Sequence, residues 1–511
     1  MTRGRRYGLV VAADRLPPTD PDDAREPVDA ALASLRPLVA AQSGAWAPAC
    51  GRGAGEGVIG VAPPPGADAA ALGARLLHSL DHHQPADFPP GWFESYLSVN
   101  RRVAAAVASS AAGAATVWVH GHQLQLLPRM LRRLRPDLTI AVQLHCAFPP
   151  AETYARLPEH RALLSGLLGA DVVALPHPRA VDNLLDLAGR VHGLPVRDDR
   201  IAAGHRGVRV VAYPLPADTA AVRRLAASPQ VQALAARLRA ALRVTGPVLL
   251  SVAGWDPADG VEQRLHAFDR FLARHRPAPG TVTLLHVACG QPRTPAEHAQ
   301  RERTERLIAK INGSHASVGQ AVVHYVRSDP DRRDLTALYL ACDGMLATPT
   351  HHGAVAAAHE FAAAHGDLGA TVVTSESSST SGALPGAIVV NPHDTVAYAE
   401  AVARAAGLRG PAPLARDADP PVAPETWAQR LLYAVSARGA ALADAGPLPG
   451  PATTGARATR TRRVPAAPRP PPPRRARAGL AATGRAPGRR AMMRGWLPYW
   501  SSKTTTVSAS R

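Results

Sequence analysis

The chain has 511 residues, with 42 glycines and 49 prolines, and only 4% of its residues are aromatic. This length allows two to four domains with a large buried core. The 58 Lys and Arg residues outweigh the 40 Asp and Glu residues and give a formal net charge of +18, but 14 of the basic residues and no acidic one fall in 451–511. The rest of the chain is nearly neutral, which argues against a nucleic-acid-binding surface spread over the whole protein.

The spacing of the cysteines and the length of the apolar runs argue against further classes of protein. Cys50, Cys146, Cys289 and Cys342 lack C-x-x-C spacing, which argues against a disulfide scaffold or a zinc ribbon and fits a reducing compartment. The apolar stretch 8–13 is too short for the core of a signal peptide, and no run reaches about 18 strongly apolar residues. We therefore expect a cytoplasmic protein with no membrane partner.

The first half of the chain alternates short β-branched runs with longer helical segments. Strands are predicted at 7–12, 116–119, 138–144, 172–174 and 208–212. Helices are predicted at 94–108, 124–135 and 178–187. Alternation of apolar strands with helices is typical of parallel, doubly wound sheets.

The pattern starts again after a polar helical stretch at 217–245. The second series has predicted strands at 248–252, 282–287, 321–325, 344–347, 371–374 and 387–390, and predicted helices at 231–242, 262–274 and 296–311. Two doubly wound halves predict a cleft between them, because such sheets bind ligands at the carboxyl ends of their strands.

These elements predict four regions. The first two are Rossmann-like domains, at 1–244 and 245–405. Residues 406–445 form a loop and a closing helix. Residues 446–511 are dominated by Pro, Arg, Ala and Gly and are expected to be a disordered basic tail.

Ten short motifs carry a family resemblance. In the first half they are V-V-A-A-D-R at 10–15, S-G-A-W at 43–46, W-F-E-S-Y-L-S-V-N at 92–100, V-W-V-H-G-H-Q-L at 117–124 and L-H-C-A-F-P at 144–149. In the second half they are S-V-A-G-W-D-P-A-D-G at 251–260, P-R at 292–293, I-N-G at 311–313, T-P-T-H-H-G-A-V-A-A-A-H-E at 348–360 and V-N-P at 390–392. In order and spacing, over residues 7–405, the chain resembles the trehalose-6-phosphate synthase family, retaining glycosyltransferases of the two-domain GT-B fold.

The resemblance implies an α/β GT-B protein that transfers glucose from UDP-glucose to glucose 6-phosphate with retention of configuration. It implies no metal and no other cofactor, and its partners would be a nucleotide sugar and a sugar phosphate. By register with the family motifs, the implied site residues are His145 as the catalytic residue facing the transferred glucose, Arg15 and Arg293 for the acceptor phosphate, and Gly353, Ala354, Val355, Ala356 and Glu360 for the donor.

Other residues of the family motifs are replaced in this sequence, which indicates a divergent member of the family. Gly254 and Asp259 stand where the family has the Arg and Lys that hold the diphosphate, and Gly121 stands where it has an Asp that orients the acceptor. Loss of a charged donor from a leaving-group site costs several kcal/mol of transition-state stabilisation. Arg264 could reach this site from the following helix, but arginine's preference for surfaces predicts a solvated side chain.

Histidines recur on the loops that this fold turns toward the cleft, at 82–83, 120–122 and 351–352. His120 and His122 are two residues apart and could hold a zinc ion together. The alternative is that they are polar replacements within a changed site, and no metal residue is predicted.

Three functions stay open at this stage. The first is a trehalose-6-phosphate synthase-like glycosyltransferase, with activity impaired by the missing cations. The second is a non-catalytic paralogue that binds a sugar phosphate or an active synthase, as a homo- or hetero-oligomer. The third is nucleic-acid binding by the tail, but its only aromatic residues are Trp496, Tyr499 and Trp500 and it carries no motif, so nucleic acid is not an expected partner.

Overall fold

The computed structural model describes residues 6–19, 27–49, 56–61, 73, 77, 88, 90–145, 148–215, 217–350, 356–378, 384–409, 414–415 and 424–436. The strands are β1 Tyr7–Ala13, β2 Ala45–Pro48, β3 Ala111–His120, β4 Thr139–Gln143, β5 Val172–Leu175, β6 Val196–Arg197, β7 Arg200–Ala203, β8 Arg206–Ala212, β9 Val248–Ala253, β10 Thr283–Ala288, β11 Val323–Arg327, β12 Gly344–Ala347, β13 Thr371–Ser375 and β14 Ile388–Val390.

Helices connect most of these strands. They are α1 Pro27–Ser34, α2 Arg36–Ala41, α3 Trp92–Ser110, α4 Leu127–Leu134, α5 Ala151–Tyr154, α6 His160–Leu167, α7 Pro178–Asp186, α8 Thr219–Ala226, α9 Pro229–Leu242, α10 Val261–His275, α11 Pro295–His315, α12 Arg332–Ala341, α13 Ala356–His365, α14 Thr395–Ala405 and α15 Pro424–Ser436. None of the helices that the structure describes is long and apolar enough to cross a lipid bilayer.

The strands form two sheets. The first runs β2-β1-β3-β4-β5-β8-β7-β6 and is parallel except for the antiparallel pairs at β8-β7-β6. The second runs β11-β10-β9-β12-β13-β14 and is parallel throughout. Among the parallel strands of each sheet the strand order reverses once, between β1 and β3 in the first sheet and between β9 and β12 in the second. Such switch points are where doubly wound sheets bind ligands.

Strand register brings particular segments together at these switch points. Ala12 pairs with Val119, and Val119 pairs with Val142. The residues that follow β1, β3 and β4 therefore lie side by side at one edge of the first sheet. In the second sheet Met345 pairs with Leu250, so the segments that follow β9 and β12 are neighbours as well.

Both faces of each sheet are buried because successive side chains of a strand point to opposite faces. In β1, Val10 and Ala12 belong to one apolar core, while Leu9 and Val11 belong to the core on the other face. The second sheet divides in the same way between two cores. Burial on both faces explains why the strands are nearly continuous apolar runs.

The eleven strands and six helices predicted with bounds above are all present, with ends shifted by a few residues. The largest difference is β3, which begins at Ala111 rather than 116. Sequence patterns missed β2 and the short strands β6 and β7, because two to four residues are too few to show a period. The predicted tail at 446–511 lies outside the described residues, and the four region boundaries remain predictions.

Two helices pack on a different sheet from the one that contains the strand before them. Helix α8 contributes Val222 and Ala226 to the core of the second sheet. Helix α15 returns to the first sheet, where Trp427 packs on Trp118 with ring centroids 5.3 Å apart. The Trp427 indole Nε1 donates a 2.9 Å hydrogen bond to the Pro214 carbonyl oxygen, and the Tyr213 hydroxyl donates to the Trp427 carbonyl oxygen. The closing helix is therefore part of the first sheet's core.

We expect Trp427→Ala to lower the free energy of unfolding by about 3 kcal/mol or more, because it removes a buried aromatic ring and leaves the Pro214 carbonyl oxygen unpaired. Denaturant-induced unfolding followed by tryptophan fluorescence measures the loss. Tyr433→Ala, at an exposed aromatic residue of the same helix, is the control and should change stability by less than about 0.5 kcal/mol. Equal losses in the two variants would contradict the role given to Trp427.

Candidate functional site

Helix α3 holds the loop that follows β3. The Tyr96 hydroxyl donates to the carbonyl oxygen of His122 and accepts a 3.1 Å hydrogen bond from the Gln125 amide. The Asn100 side-chain amide donates 2.9 Å hydrogen bonds to the Tyr96 and Gln123 carbonyl oxygens. These partners are buried, so each hydrogen bond satisfies a group that water cannot reach. The tyrosine and asparagine of the motif at 92–100 thus position the histidine loop.

His145 and His120 form a stacked pair at the edge of the first sheet. The ring centroids lie 5.2 Å apart and the planes differ by 14°, with His120 Nδ1 3.1 Å from His145 Nε2. One ring must donate this hydrogen bond and the other accept it, so the pair shares one proton. Burial lowers the pKa of His145 to about 4 and, together with the neighbouring His145, lowers that of His120 well below its usual range. Both rings are therefore neutral at pH 7.

The remaining candidates for the acceptor site are exposed cations. Arg15 follows Asp14 at the end of β1, and both residues are exposed. Arg293 is exposed at the start of α11, where its backbone amide donates a 2.6 Å hydrogen bond to the Glu297 carboxylate. Their assignment to a phosphate remains a prediction.

Arg264 is buried at the switch point of the second sheet, with 2% of its surface exposed. Its guanidinium donates to Ser251 Oγ at 2.6 Å, to Thr348 Oγ1 at 3.3 Å and to the carbonyl oxygen of Asp259. The expectation of a solvated arginine was therefore wrong. Its hydrogen-bond acceptors are neutral oxygens, so these hydrogen bonds satisfy the donors without neutralising the positive charge.

Asp259 lies next to this cation, against Gly254. Its Oδ2 accepts a 2.9 Å hydrogen bond from the Gly254 amide. A Cβ atom added to Gly254 would lie 3.3 Å from the same oxygen. Burial, followed by the neighbouring Asp256 carboxylate, raises the pKa of Asp259 to about 7, against the opposing effects of Arg264 and of the Gly254 amide. The carboxyl group is thus half-protonated near neutral pH.

Glu360 is held by protein groups on α13. Its Oε1 lies 3.3 Å from the Arg332 guanidinium, and its Oε2 accepts a 3.2 Å hydrogen bond from the Tyr339 hydroxyl. Arg332 also contacts Asp218 at 3.3 Å. Burial raises the pKa of Glu360 despite Arg332 and Tyr339. A structural role accounts for these contacts, and the predicted role in donor binding is untested.

Most of the other residues of the predicted donor site lie outside the residues that the structure describes. Gly353, Ala354 and Val355 are outside the described residues, and Ala356 is the first residue of α13. Histidines 82–83 and 351–352 are outside it too. Among the residues that the structure does describe, no group of three or more His, Cys, Asp or Glu side chains could hold a metal ion.

Sequence reasoning missed two features of the site. His120 was considered together with His122, as a zinc ligand or as a polar replacement, whereas it pairs with His145, which follows the neighbouring strand. No local signal shows this, because the contact depends on strand order. The burial of Arg264 did have a signal, since Val261, Leu265 and Phe268 define an apolar helix face on which position 264 also falls.

The sequence of this chain is similar to those of known glycosyltransferases. The model of glycosyltransferase family 20 matches residues 75–409. A trehalose-6-phosphate synthase of Mycobacterium ulcerans is 37% identical over 313 residues, which are 59% of this chain and 63% of that protein. This chain thus matches somewhat less than two thirds of the length of that curated relative.

Solved structures agree in fold. An α,α-trehalose-phosphate synthase (UDP-forming) from Burkholderia vietnamiensis has a TM-score of 0.74 at 22% identity, covering 86% of this chain and 99% of that one. A second, from Burkholderia xenovorans in complex with glucose 6-phosphate, has a TM-score of 0.71 at 20% identity, covering 84% and 100%. The expected fold of two Rossmann-like domains is confirmed.

We expect Asp259→Asn to stabilise the protein increasingly as the pH rises. The native carboxyl group has a pKa of about 7, above its ordinary value of 3.8, so the wild-type protein loses stability between about pH 4 and pH 7 as the unfolded state ionises first. The asparagine cannot ionise, and its gain should reach about 2–4 kcal/mol at pH 8.

Denaturant-induced unfolding at pH 4.5 and pH 8 measures this difference. Asp182→Asn, at an exposed residue of α7, is the control and should show no such trend. A gain for Asp259→Asn that is the same at both pH values would contradict the raised pKa.

Proposed function

We propose that this chain, which belongs to glycosyltransferase family 20, transfers a hexosyl group from a nucleotide-activated hexose to a sugar phosphate. The observation that carries the proposal is the placement of polar residues at both switch points, His145 with His120 in one sheet and Arg264 in the other. The first substrates to test are UDP-glucose and glucose 6-phosphate, since relatives are named UDP-forming trehalose-phosphate synthases and one is a complex with glucose 6-phosphate. The product would be trehalose 6-phosphate.

His145 would serve as a hydrogen-bonding residue rather than as an acid. Its pKa of about 4 keeps it neutral at pH 7, and its contact with His120 holds the ring in one orientation. A ring held in place before the substrate binds loses little freedom on binding, and this favours the geometry needed for attack.

Arg264 would supply positive charge for the leaving diphosphate. It lies below the loop in which glycine and aspartate occupy the positions of the family cations. A fixed positive charge in a site with little water stabilises negative charge that develops on the leaving group. Asp259 opposes it when ionised, and we therefore expect donor binding to weaken as the pH rises through 7.

Turnover tests the proposal directly. We expect the full-length chain to release UDP from UDP-glucose only when glucose 6-phosphate is present, measured by a coupled assay and by detection of trehalose 6-phosphate. His145→Ala should lower kcat/KM by about 100-fold or more, because it removes an oriented group from the reacting centre. His205→Ala, at an exposed turn of the same domain, is the control. Absence of turnover with any nucleotide hexose would refute the activity.

A second candidate is non-catalytic binding of a sugar phosphate or of an active synthase. One observation favours it: the Asp259 carboxyl group, which stands where the family has a diphosphate-binding cation, already accepts the Gly254 amide. Ionised carboxylates repel phosphates and compete for the same donors.

Restoring the two cations separates the candidates. We expect Gly254→Arg combined with Asp259→Lys to tighten UDP-glucose binding by at least 10-fold in isothermal titration, since two charged hydrogen bonds replace a repulsive charge. Among the residues that the structure describes, only the Asp259 carboxylate lies within 4 Å of a Cβ atom at position 254, and the second substitution removes it. Glu302→Lys, at an exposed residue of α11, controls for net charge. Wild-type binding as tight as that of the double variant would exclude the second candidate.

A further inference from the structure

The turn that follows β3 has a backbone that suits only glycine. Gly121 has φ 84° and ψ 174°, a combination that residues with a Cβ atom essentially never adopt. Its amide donates a 3.0 Å hydrogen bond to the Gln143 carbonyl oxygen, which ties the turn to the end of β4. Position 121 therefore cannot present a side chain at the switch point without strain.

A carboxylate from the neighbouring strand lies in the direction that such a side chain would take. A Cβ atom added to Gly121 would be 3.2 Å from Asp14 Oδ1 and 3.3 Å from Asp14 Oδ2. Strand register explains this placement: Ala12 pairs with Val119, so residue 14 comes opposite residue 121. Asp14, directly after β1, thus places a carboxylate beside the position that a side chain at residue 121 would occupy.

Asp14 lies at the protein surface and close enough to the Tyr96 hydroxyl to affect its pKa. Asp14 is exposed, and its negative charge contributes to the raised pKa of Tyr96, after burial of that hydroxyl. The Tyr96 hydroxyl supports the loop that carries His122. The carboxylate therefore lies over the histidine loop, at the switch point, beside the exposed Arg15.

We propose that Asp14 binds the hydroxyl groups of the acceptor sugar and orients it for attack. An ionised carboxylate has two oxygens that only accept hydrogen bonds, and adjacent sugar hydroxyls can donate to both. The adjacent Arg15 provides a cation for a phosphate on the same sugar. This assignment rests on the proposed function, since it takes the sugar phosphate as the acceptor.

Binding measurements with two probes test the assignment on the full-length chain. We expect Asp14→Asn to weaken glucose 6-phosphate binding by about 10- to 100-fold in isothermal titration, as loss of a charged hydrogen-bond acceptor predicts. Inorganic phosphate has no sugar hydroxyls, so its binding should stay the same or become tighter. Asp14→Ser should show the same pattern, and Asp182→Asn is the control with unchanged binding of both probes. Thermal unfolding of each variant verifies that it folds.

Three results would overturn the assignment. They are unchanged glucose 6-phosphate binding in Asp14→Asn, equal weakening for both probes, and failure of the wild-type protein to bind glucose 6-phosphate. Selective loss of sugar-phosphate binding in a protein without turnover would support Asp14 and refute the catalytic function. Turnover with an unchanged KM for glucose 6-phosphate in Asp14→Asn would support the catalytic function and refute the role of Asp14.

Discussion

The second sheet is organised around one buried guanidinium. Arg264 joins β9 through Ser251, β12 through Thr348 and the intervening loop through the carbonyl oxygen of Asp259. Burying a cation costs several kcal/mol unless its donors are satisfied, so these three segments must keep their spacing. Without this cation, β9, β12 and the intervening loop would lose the hydrogen bonds that join them.

Both switch points share a second constraint, which concerns carboxylates. In each sheet an aspartate lies against a glycine at the end of a strand: Asp14 against Gly121, and Asp259 against Gly254. The first carboxylate is exposed beside an arginine, whereas the second accepts a backbone amide and has a pKa of about 7. The same pairing therefore has two different environments, because the Asp14 carboxylate is exposed and the Asp259 carboxyl group is hydrogen-bonded to the backbone.

More of the fold than of the candidate site could be predicted from the sequence. Strand and helix periods and the order of motifs identified both sheets, since burial on two faces leaves continuous apolar runs. The contacts of His120 with His145 and of Asp14 with Gly121 could not be foreseen, because they join residues from adjacent strands that are far apart in sequence. Arg264 could have been recognised, since it falls on the apolar face of α10 among Val261, Leu265 and Phe268.

The return of α15 to the first sheet means that the first half of the molecule is not a continuous stretch of sequence. The chain leaves the first sheet before α8, which packs in the core of the second, and it comes back to place Trp427 on Trp118. The chain therefore passes between the halves twice, once before α8 and once before α15. A gene fragment that ends before residue 424 would lack part of the core of the half that it was meant to encode.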